Sequence, residues 1–142
     1  MIVVDLNLLL YALNEDAPLH ARALAWWEGV MSSTTLIGLS WSVIIGFLRI
    51  ATNSRVLPTP LTSAQAVEVV DLWLDHPLTR VLAPTERHWA ILTELLEPLG
   101  TAGNLTSDAH LAALCIEHGA RLYSADNDFA RFAKLRWTNP LS

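Results

Sequence analysis

Three aspartates follow short stretches whose apolar residues have the character of buried strands. Asp5 comes after the run Ile-Val-Val, and Asp126 and Asp128 come after the run Arg-Leu-Tyr-Ser. In a parallel α/β sheet, the groups that follow the carboxyl ends of strands gather in one crevice. We therefore expect these three carboxylates to lie close together, although they come from opposite ends of the chain.

A fourth aspartate, Asp108, belongs to the apolar side of a predicted helix. Leu111, Ala112 and Cys115 follow it at spacings of three, four and seven residues, which places them on one helical face. We therefore expect its carboxylate to point inward. Cys115 is the only cysteine, so it has no thiol partner and is expected to be a small buried hydrophobic residue.

Each of these aspartates also has a simpler explanation. Asp5 and Asp128 could cap the helices that follow them, and Asp108 could favour the dipole in a first helical turn. Carboxylates packed side by side, however, repel one another unless they are protonated or neutralised by a cation. Oxygen ligands without a nearby histidine or cysteine favour Mg²⁺ or Mn²⁺ over zinc. A cation held in this way suits the hydrolysis of a phosphodiester.

The elements that must bring these residues together alternate between strands and helices. Strands are predicted at 2–4, 34–39, 79–84, 121–124 and 135–137. Helices are predicted at 6–13, 20–31, 40–53, 62–76, 85–100 and 104–119, with a Thr85 cap on the fifth and a further short helix near 128–133. This alternation predicts an α/β domain with a mostly parallel sheet of about five short strands between helices.

The chain has the length of one ordinary domain, and we expect residues 1–142 to form a single one. Hydrophobic residues make up 52% of it and charged residues 16%, which is more apolar surface than a monomer of this size normally hides. We therefore expect part of that surface to meet a partner. The adjacent pair Trp26 and Trp27 is a candidate, since neighbouring helix positions seldom both reach the same core.

The net charge of −5 argues against a broad basic surface for nucleic acid. Four cationic residues nevertheless surround the C-terminal aspartates: Arg121, Arg131, Lys134 and Arg136. They form either the solvated face of a helix or a local contact for an anionic substrate. The early apolar run is too short to span a bilayer and no basic segment precedes it, so we expect a soluble, cytoplasmic protein without a membrane partner.

Three stretches in a fixed order cover nearly the whole chain and carry a family resemblance. They are VDLNLLLYALNEDAPLHARALAWW, FLRIATNSRV and NLTSDAHLAALCIEHGARLYSADNDFARF. The aspartate after the first strand, the FLR helix and the S-x-D-x-D-F turn resemble those of the PIN-domain nucleases. More narrowly, the chain is similar to the VapC-type toxins of bacterial toxin–antitoxin pairs.

The resemblance implies a three-layer α/β/α sandwich and endoribonuclease activity that depends on Mg²⁺ or Mn²⁺. It also implies a homodimer, an RNA substrate attracted by the metal and the four cationic residues, and inhibition by a cognate antitoxin. The implied metal ligands are Asp5, Asp108 and Asp126, which would carry the catalysis. Asp128 would be a further ligand or a supporting group. Asn7 and Ser124 would orient this cluster from its edge.

One position departs from the family pattern, because Gly46 precedes the FLR segment where many members have a glutamate. Binding of a second metal ion, and possession of the activity, therefore depend on whether the four aspartates suffice without that glutamate. The alternative function is a PIN-fold protein of weakened catalysis that acts mainly by binding a protein partner. An aspartate-nucleophile phosphotransferase is disfavoured, since it would need an acidic group where this chain has Asn7.

A protein partner is expected to bind along two of the predicted helices. The segments 20–31 and 40–51 are rich in apolar residues and would form a groove for part of the antitoxin. Trp26 or Trp27 would serve as the anchor, since large aromatic residues dominate the energetics of interfaces.

Overall fold

A five-stranded parallel sheet forms the centre of the computed structural model, which describes residues 1–142. Its strands are β1 (Ile2–Val4), β2 (Ile37–Ser40), β3 (Thr79–Leu82), β4 (Arg121–Tyr123) and β5 (Trp137–Thr138). The helices are α1 (Leu6–Leu13), α2 (His20–Met31), α3 (Trp41–Ala51), α4 (Ser63–Asp75), α5 (His88–Leu96) and α6 (Leu105–Glu117). Two 3₁₀ segments span Glu97–Leu99 and Asn127–Arg131. The predicted α/β class is confirmed.

The first strand, β1, lies at the centre of the sheet, with β2 and β3 on one side of it and β4 and β5 on the other. Across the sheet the order is β3-β2-β1-β4-β5, and each neighbouring pair is parallel. Because crossovers between parallel strands are right-handed, this order places α1 to α4 on one face and α5 and α6 on the other. The helices pack accordingly, α1 on α2 and α3, α3 on α4, and α5 on α6. The result is an α/β/α sandwich whose switch point lies between β1 and β4.

The pairing of β1 with β4 determines which residues meet at the switch point. Val4 lies opposite Tyr123 in the register of the two strands. The backbone N–H of Asp5 then donates to the carbonyl oxygen of Tyr123 at 3.0 Å. Asp5 and Ser124 therefore leave the sheet side by side at its carboxyl edge.

The hydrophobic core holds in place the segments that carry polar residues. Phe129 is 1% exposed and anchors the segment Asn127–Arg131 in the core. Trp27 is 8% exposed and packs edge-on against Trp73, with 6.2 Å between ring centroids. The predicted partner anchor Trp27 is therefore largely a core residue.

Polar side chains cap three of the four helices on the α1–α4 face, and only α2 begins without such a cap. Oγ of Ser40 accepts from the N–H of Val43 at 3.1 Å and starts α3. Thr62 and Gln65 form a reciprocal capping box at the start of α4. None of the helices is both long and apolar enough to cross a membrane.

Candidate metal centre

Three aspartate side chains converge at the carboxyl edge of the sheet. Asp108 comes from the first turn of α6, and Asp126 and Asp128 come from the 3₁₀ segment after β4. Each offers a carboxylate oxygen, and these oxygens lie within 4.8 Å of one another. We call these residues the three-carboxylate group. The cap of the 3₁₀ segment is Asp126, whose Oδ1 accepts from the N–H of Asp128 at 2.9 Å, and the alternative that Asp128 is the cap is wrong.

Asp5 stands beside this group without being part of it. Its Oδ1 accepts from the N–H of Leu6 at 2.7 Å, so Asp5 caps α1. Its Oδ2 accepts from the hydroxyl of Ser124 at 2.6 Å. The expected cap at Asp5 is confirmed, and its charge acts on the carboxyl group of Asp108, while its part in a metal site stays a prediction.

The buried hydroxyl of Ser124 connects the elements around the site. It donates to Asp5 and accepts from Nδ2 of Asn7 at 3.2 Å and from the N–H of Asp126 at 3.0 Å. Oδ1 of Asn7 in turn accepts from the N–H of Ala125 at 3.3 Å. Asn7 and Ser124 thus hold α1 and the turn after β4 in one arrangement.

The negative charges at this edge oppose one another. Burial raises the pKa of Asp108 to about 6, and the charges of three other aspartates, Asp126, Asp5 and Asp128, act in the same direction. Burial also raises the pKa of Asp5, against the hydrogen bonds from Ser124 and the Leu6 N–H, and the charge of Asp126 adds to the rise. Ionisation of the whole set is therefore unfavourable unless a positive charge joins it.

The three-carboxylate group fits a hard divalent cation. Its donors are all carboxylate oxygens, which Mg²⁺ and Mn²⁺ prefer, and no histidine or cysteine joins them. Asp108 and Asp126 are half-buried and Asp128 is exposed, so one side of the group is open to solvent. The group can therefore hold a cation and leave room for a further ligand.

The four predicted RNA-binding cations fall into two pairs. Arg131 lies next to the site, with its Nε 3.4 Å from Oδ1 of Asp128. Lys134 follows in the same stretch and pairs with Glu94 at 3.3 Å. Arg131 is thus beside the carboxylates, and Lys134 lies three residues further along the chain.

The other two cations lie at the amino ends of the strands. Arg121 begins β4 and donates to the hydroxyl of Thr138 at 3.1 Å. Arg136 precedes β5 and donates to the carbonyl oxygen of Gly119 at 2.6 Å. The structure therefore does not bring Arg121 and Arg136 to the carboxylates.

The position that lacks the family's glutamate is filled by a neighbouring side chain. Gly46 is buried in α3, and a Cβ added there would lie 2.7 Å from Cδ2 of Leu6. Leu6 directly follows Asp5, so it reaches this position from the first turn of α1. A glutamate at position 46 would require Leu6 to move.

A polar network that the sequence does not reveal joins α5 to α6. The carboxylate of Glu117 accepts from the N–H of Thr85 at 2.7 Å and lies 2.7 Å from Nδ1 of His88. Nε2 of His88 lies 3.0 Å from Nδ1 of His110. The predicted cap at Thr85 is wrong, because α5 begins only at His88 and the residue before it is Arg87. Nothing in the sequence indicated these pairs, which are 22 to 32 residues apart.

Cys115 is buried in α6, as predicted. Burial raises the pKa of its thiol to about 12, and the charge of Asp5 acts in the same direction. The residue therefore stays protonated and serves as a small apolar side chain.

Residues 2–135 match the family model described as the PIN domain. The chain is 50% identical over 141 residues to Ribonuclease VapC33 of Mycobacterium tuberculosis, and the match covers 99% of each protein. It is 41% identical to Ribonuclease VapC37 of the same species, over 99% of this chain and 97% of that one.

Solved structures share the fold at lower sequence identity. A crystal structure of VapBC2 from Rickettsia felis bound to a promoter DNA fragment matches with a TM-score of 0.70 and 19% identity, over 98% of both chains. FitAcB from Neisseria gonorrhoeae matches with a TM-score of 0.69 and 20% identity, over 99% of this chain and 98% of that one. The chain belongs to the PIN domain family and, within it, to the VapC ribonucleases.

Proposed function

We propose that the protein is a Mg²⁺-dependent endoribonuclease that hydrolyses RNA phosphodiester bonds as the toxin of a type II toxin–antitoxin pair, with Mn²⁺ able to replace Mg²⁺. The observation that carries this proposal is the three-carboxylate group, with its oxygens within 4.8 Å of one another. The ribonuclease names of its relatives support the same activity. We further infer that residues 1–142 form one domain of this kind, since one continuous apolar core joins the two faces of the sheet.

The aspartates divide the work in this proposal. Asp108 and Asp126 hold the cation, and Asp128 completes the group from its exposed side. Asp5 adds negative charge from the end of β1, where Ser124 keeps its carboxylate oriented. A divalent cation held by these residues would supply positive charge at the scissile phosphate and would lower the pKa of a water molecule toward neutrality. Asp5, Asp108 and Asp126 are the residues to which we assign catalysis.

The test compares metal binding and RNA cleavage in matched variants, after any bound antitoxin has been removed. Asp126→Asn and Asp5→Asn each remove one charge from the site, whereas Asp71→Asn removes one from the exposed surface of α4. Calorimetry with Mn²⁺ and cleavage with and without Mg²⁺ are measured for all four proteins. We expect both site variants to lose cleavage, Asp126→Asn to lose Mn²⁺ binding, and Asp71→Asn to behave as wild type.

Two results would contradict this proposal. Cleavage in EDTA would show that the reaction needs no metal, and full activity in Asp126→Asn would remove the three-carboxylate group from the reaction. An unmodified protein that binds no Mn²⁺ would instead favour the alternative of a weakened enzyme that acts by binding a partner. Gly46, in the position of the family's glutamate, is the feature that motivates this alternative.

We also propose that the chain binds a cognate antitoxin, because structural relatives were solved as VapBC and FitAB complexes. A small cavity of about 120 Å³ lies among α1, α2 and α4 and is lined only by apolar residues, Trp27 and Trp73 among them. Such a cavity suits one apolar side chain of a bound segment. Trp26 is half-buried and stacks on Tyr123, with 5.6 Å between ring centroids, so its role as an anchor stays a prediction.

Filling this cavity tests the antitoxin proposal. Ala12 lines the cavity, and Ala21 is an exposed residue of α2 outside it. We expect Ala12→Phe to weaken co-purification with the antitoxin and Ala21→Phe to leave it unchanged, with circular dichroism confirming that both variants fold. Equal antitoxin binding by both variants would place the interface elsewhere.

A homodimer is the second assembly that we propose. Trp41 and Ile45 lie one turn apart on α3, and each is 56% exposed. Two large apolar side chains in such positions are typical of a surface that is covered in an assembly.

A further inference from the structure

A cavity of about 270 Å³ lies between the end of α5 and the stretch that follows the 3₁₀ segment Asn127–Arg131. Its apolar lining comes from Leu95, Leu99 and Phe132, of which Leu95 and Phe132 are buried. The charged side chains that line it are Arg131, Lys134 and Glu94, and Glu94 pairs with Lys134 at 3.3 Å. The cavity thus offers an apolar surface to the base of a nucleotide and positive charge to its phosphate.

The cavity adjoins the candidate metal centre through one of its cations. Nε of Arg131 lies 3.4 Å from Oδ1 of Asp128, a member of the three-carboxylate group. If a phosphate of an RNA strand lay at the three-carboxylate group, the next nucleotide of that strand would therefore lie at the mouth of this cavity. Among the four cations near the C-terminus, only Arg131 and Lys134 are placed to meet it.

Both cations are held by weak interactions. Arg131 is 58% exposed and Lys134 is 69% exposed, and each pairs with an exposed carboxylate. Ion pairs of this kind contribute little to stability, because water and salt screen them. Asp128 is moreover needed by a cation bound at the three-carboxylate group, which leaves Arg131 free to turn to a phosphate.

We propose that this cavity binds one nucleotide of the RNA, next to the scissile bond, with its base against Leu95, Leu99 and Phe132 and its phosphate against Arg131 and Lys134. The proposal rests on the proposed ribonuclease function and names a contact that determines affinity and position on the substrate. RNA is favoured over a protein segment as the occupant, because the cavity presents two cationic side chains on a protein of net charge −5. One of them, Arg131, lies beside the candidate metal centre.

The first experiment fills the cavity without disturbing the core. Ala133 lines the cavity and is exposed, and Ala130 is an exposed residue of the adjacent 3₁₀ segment outside it. The probe is a short fluorescent single-stranded RNA of random sequence, and binding is measured by anisotropy in EDTA and in Ca²⁺. We expect Ala133→Trp to weaken binding and raise KM about tenfold, the loss of one nucleotide contact, with Mn²⁺ affinity unchanged. Ala130→Trp is expected to match wild type.

The second experiment removes the charges. We expect Arg131→Ala and Lys134→Ala each to reduce the slope of log affinity against log salt by about 0.7, the value for one phosphate contact on a single strand. Arg55→Ala, at an exposed position in the turn after α3, is the matched control and should leave the slope unchanged. Arg131→Ala should also bind Mn²⁺ more tightly than wild type at low salt, because Asp128 loses its competing cation.

The outcomes separate this inference from the function on which it rests. RNA binding by Ala133→Trp equal to that of wild type, or unchanged salt slopes in both charge variants, overturns the nucleotide site. Weaker binding of a protein partner with unchanged RNA binding assigns the cavity to that partner and also overturns it. A wild-type protein that binds RNA but does not cleave it in Mg²⁺ contradicts the proposed function, and the binding measurements still decide the cavity.

Discussion

At the scale of single residues, the candidate site is a place where the folded protein holds protons more tightly than the unfolded chain does. The pKa of Asp108 is about 6 in the folded protein and 3.8 as the reference for an unfolded chain. Between these two values the folded state binds more protons, so the free energy of unfolding falls as the pH rises through that window. Asp5, whose pKa is also raised, acts in the same direction.

This linkage predicts that removing the charge of Asp108 stabilises the metal-free protein. At pH 7 we expect Asp108→Asn to unfold at higher urea, with a gain on the order of 1 kcal/mol after allowance for solvent screening at this partly exposed position. The difference between the variant and wild type should shrink as the pH falls from about 6 to about 4. Asp71→Asn serves as the control, and a difference that grows at acid pH would contradict the prediction.

A second prediction at this scale concerns the hydroxyl of Ser124. Ser124→Ala removes the donor to Asp5 and the acceptor used by Asn7 and by the N–H of Asp126, all at a fully buried position. We expect a loss of about 1–3 kcal/mol in the free energy of unfolding, measured by urea titration, because buried polar groups are left without partners. Ser107→Ala, at an exposed position of α6, should change stability little. Similar losses in both variants would mean that the Ser124 network contributes nothing specific.

At the scale of the elements, the parts of the site that follow from local pattern were predictable and the parts that need packing were not. The ends of β1 and β4 placed Asp5 and Asp126 at one edge of the sheet, and the apolar stripe of α6 turned Asp108 toward them. The contact of Glu117 with His88 joins residues 29 apart and leaves no periodic trace in the sequence. The cations that face the site could likewise not be identified without the ends of the strands. Arg121, for example, lies at the amino end of β4 and is therefore far from the carboxyl edge.

The packing of α1 on α3 yields a prediction about Gly46. Replacing a helical glycine with alanine stabilises a helix by up to about 1 kcal/mol, but here the new Cβ would meet Leu6 Cδ2 at 2.7 Å. We expect Gly46→Ala to stabilise the protein in a Leu6→Ala background and to do so less, or not at all, in the wild-type background. A double-mutant cycle of unfolding free energies measures this coupling, about 1 kcal/mol in size. Additive effects would show that Leu6 moves aside at no cost.

At the scale of the whole molecule, apolar side chains remain on the surface of a chain that is 52% hydrophobic. The surplus is concentrated in a few large side chains on separate helices, among them Trp41 and Ile45 on α3 and Leu72 on α4. The first two lie one helical turn apart on the same face of α3, whereas a lone exposed leucine needs no explanation. An assembly that covers α3 would therefore remove more apolar surface from water than one that covers α4 at Leu72.

This contrast predicts the response of the assembly to surface mutation. We expect Trp41→Ala combined with Ile45→Ala to shift the antitoxin-free protein from dimer to monomer, measured by light scattering after size-exclusion chromatography. Leu72→Ala removes a side chain that is 70% exposed and should leave the oligomeric state unchanged. A dimer that persists in the double variant would place the interface on another surface.

The hydrogen bond from Ser124 to Asp5 joins residues 119 positions apart, and it has a consequence for the order in which the site is completed during synthesis. The ribosome makes Asp126 and Asp128 more than 120 residues after Asp5. A nascent chain that already contains Asp5 and Asp108 therefore lacks the other two carboxylates, and the three-carboxylate group is complete only after all six helices and the first four strands have been translated.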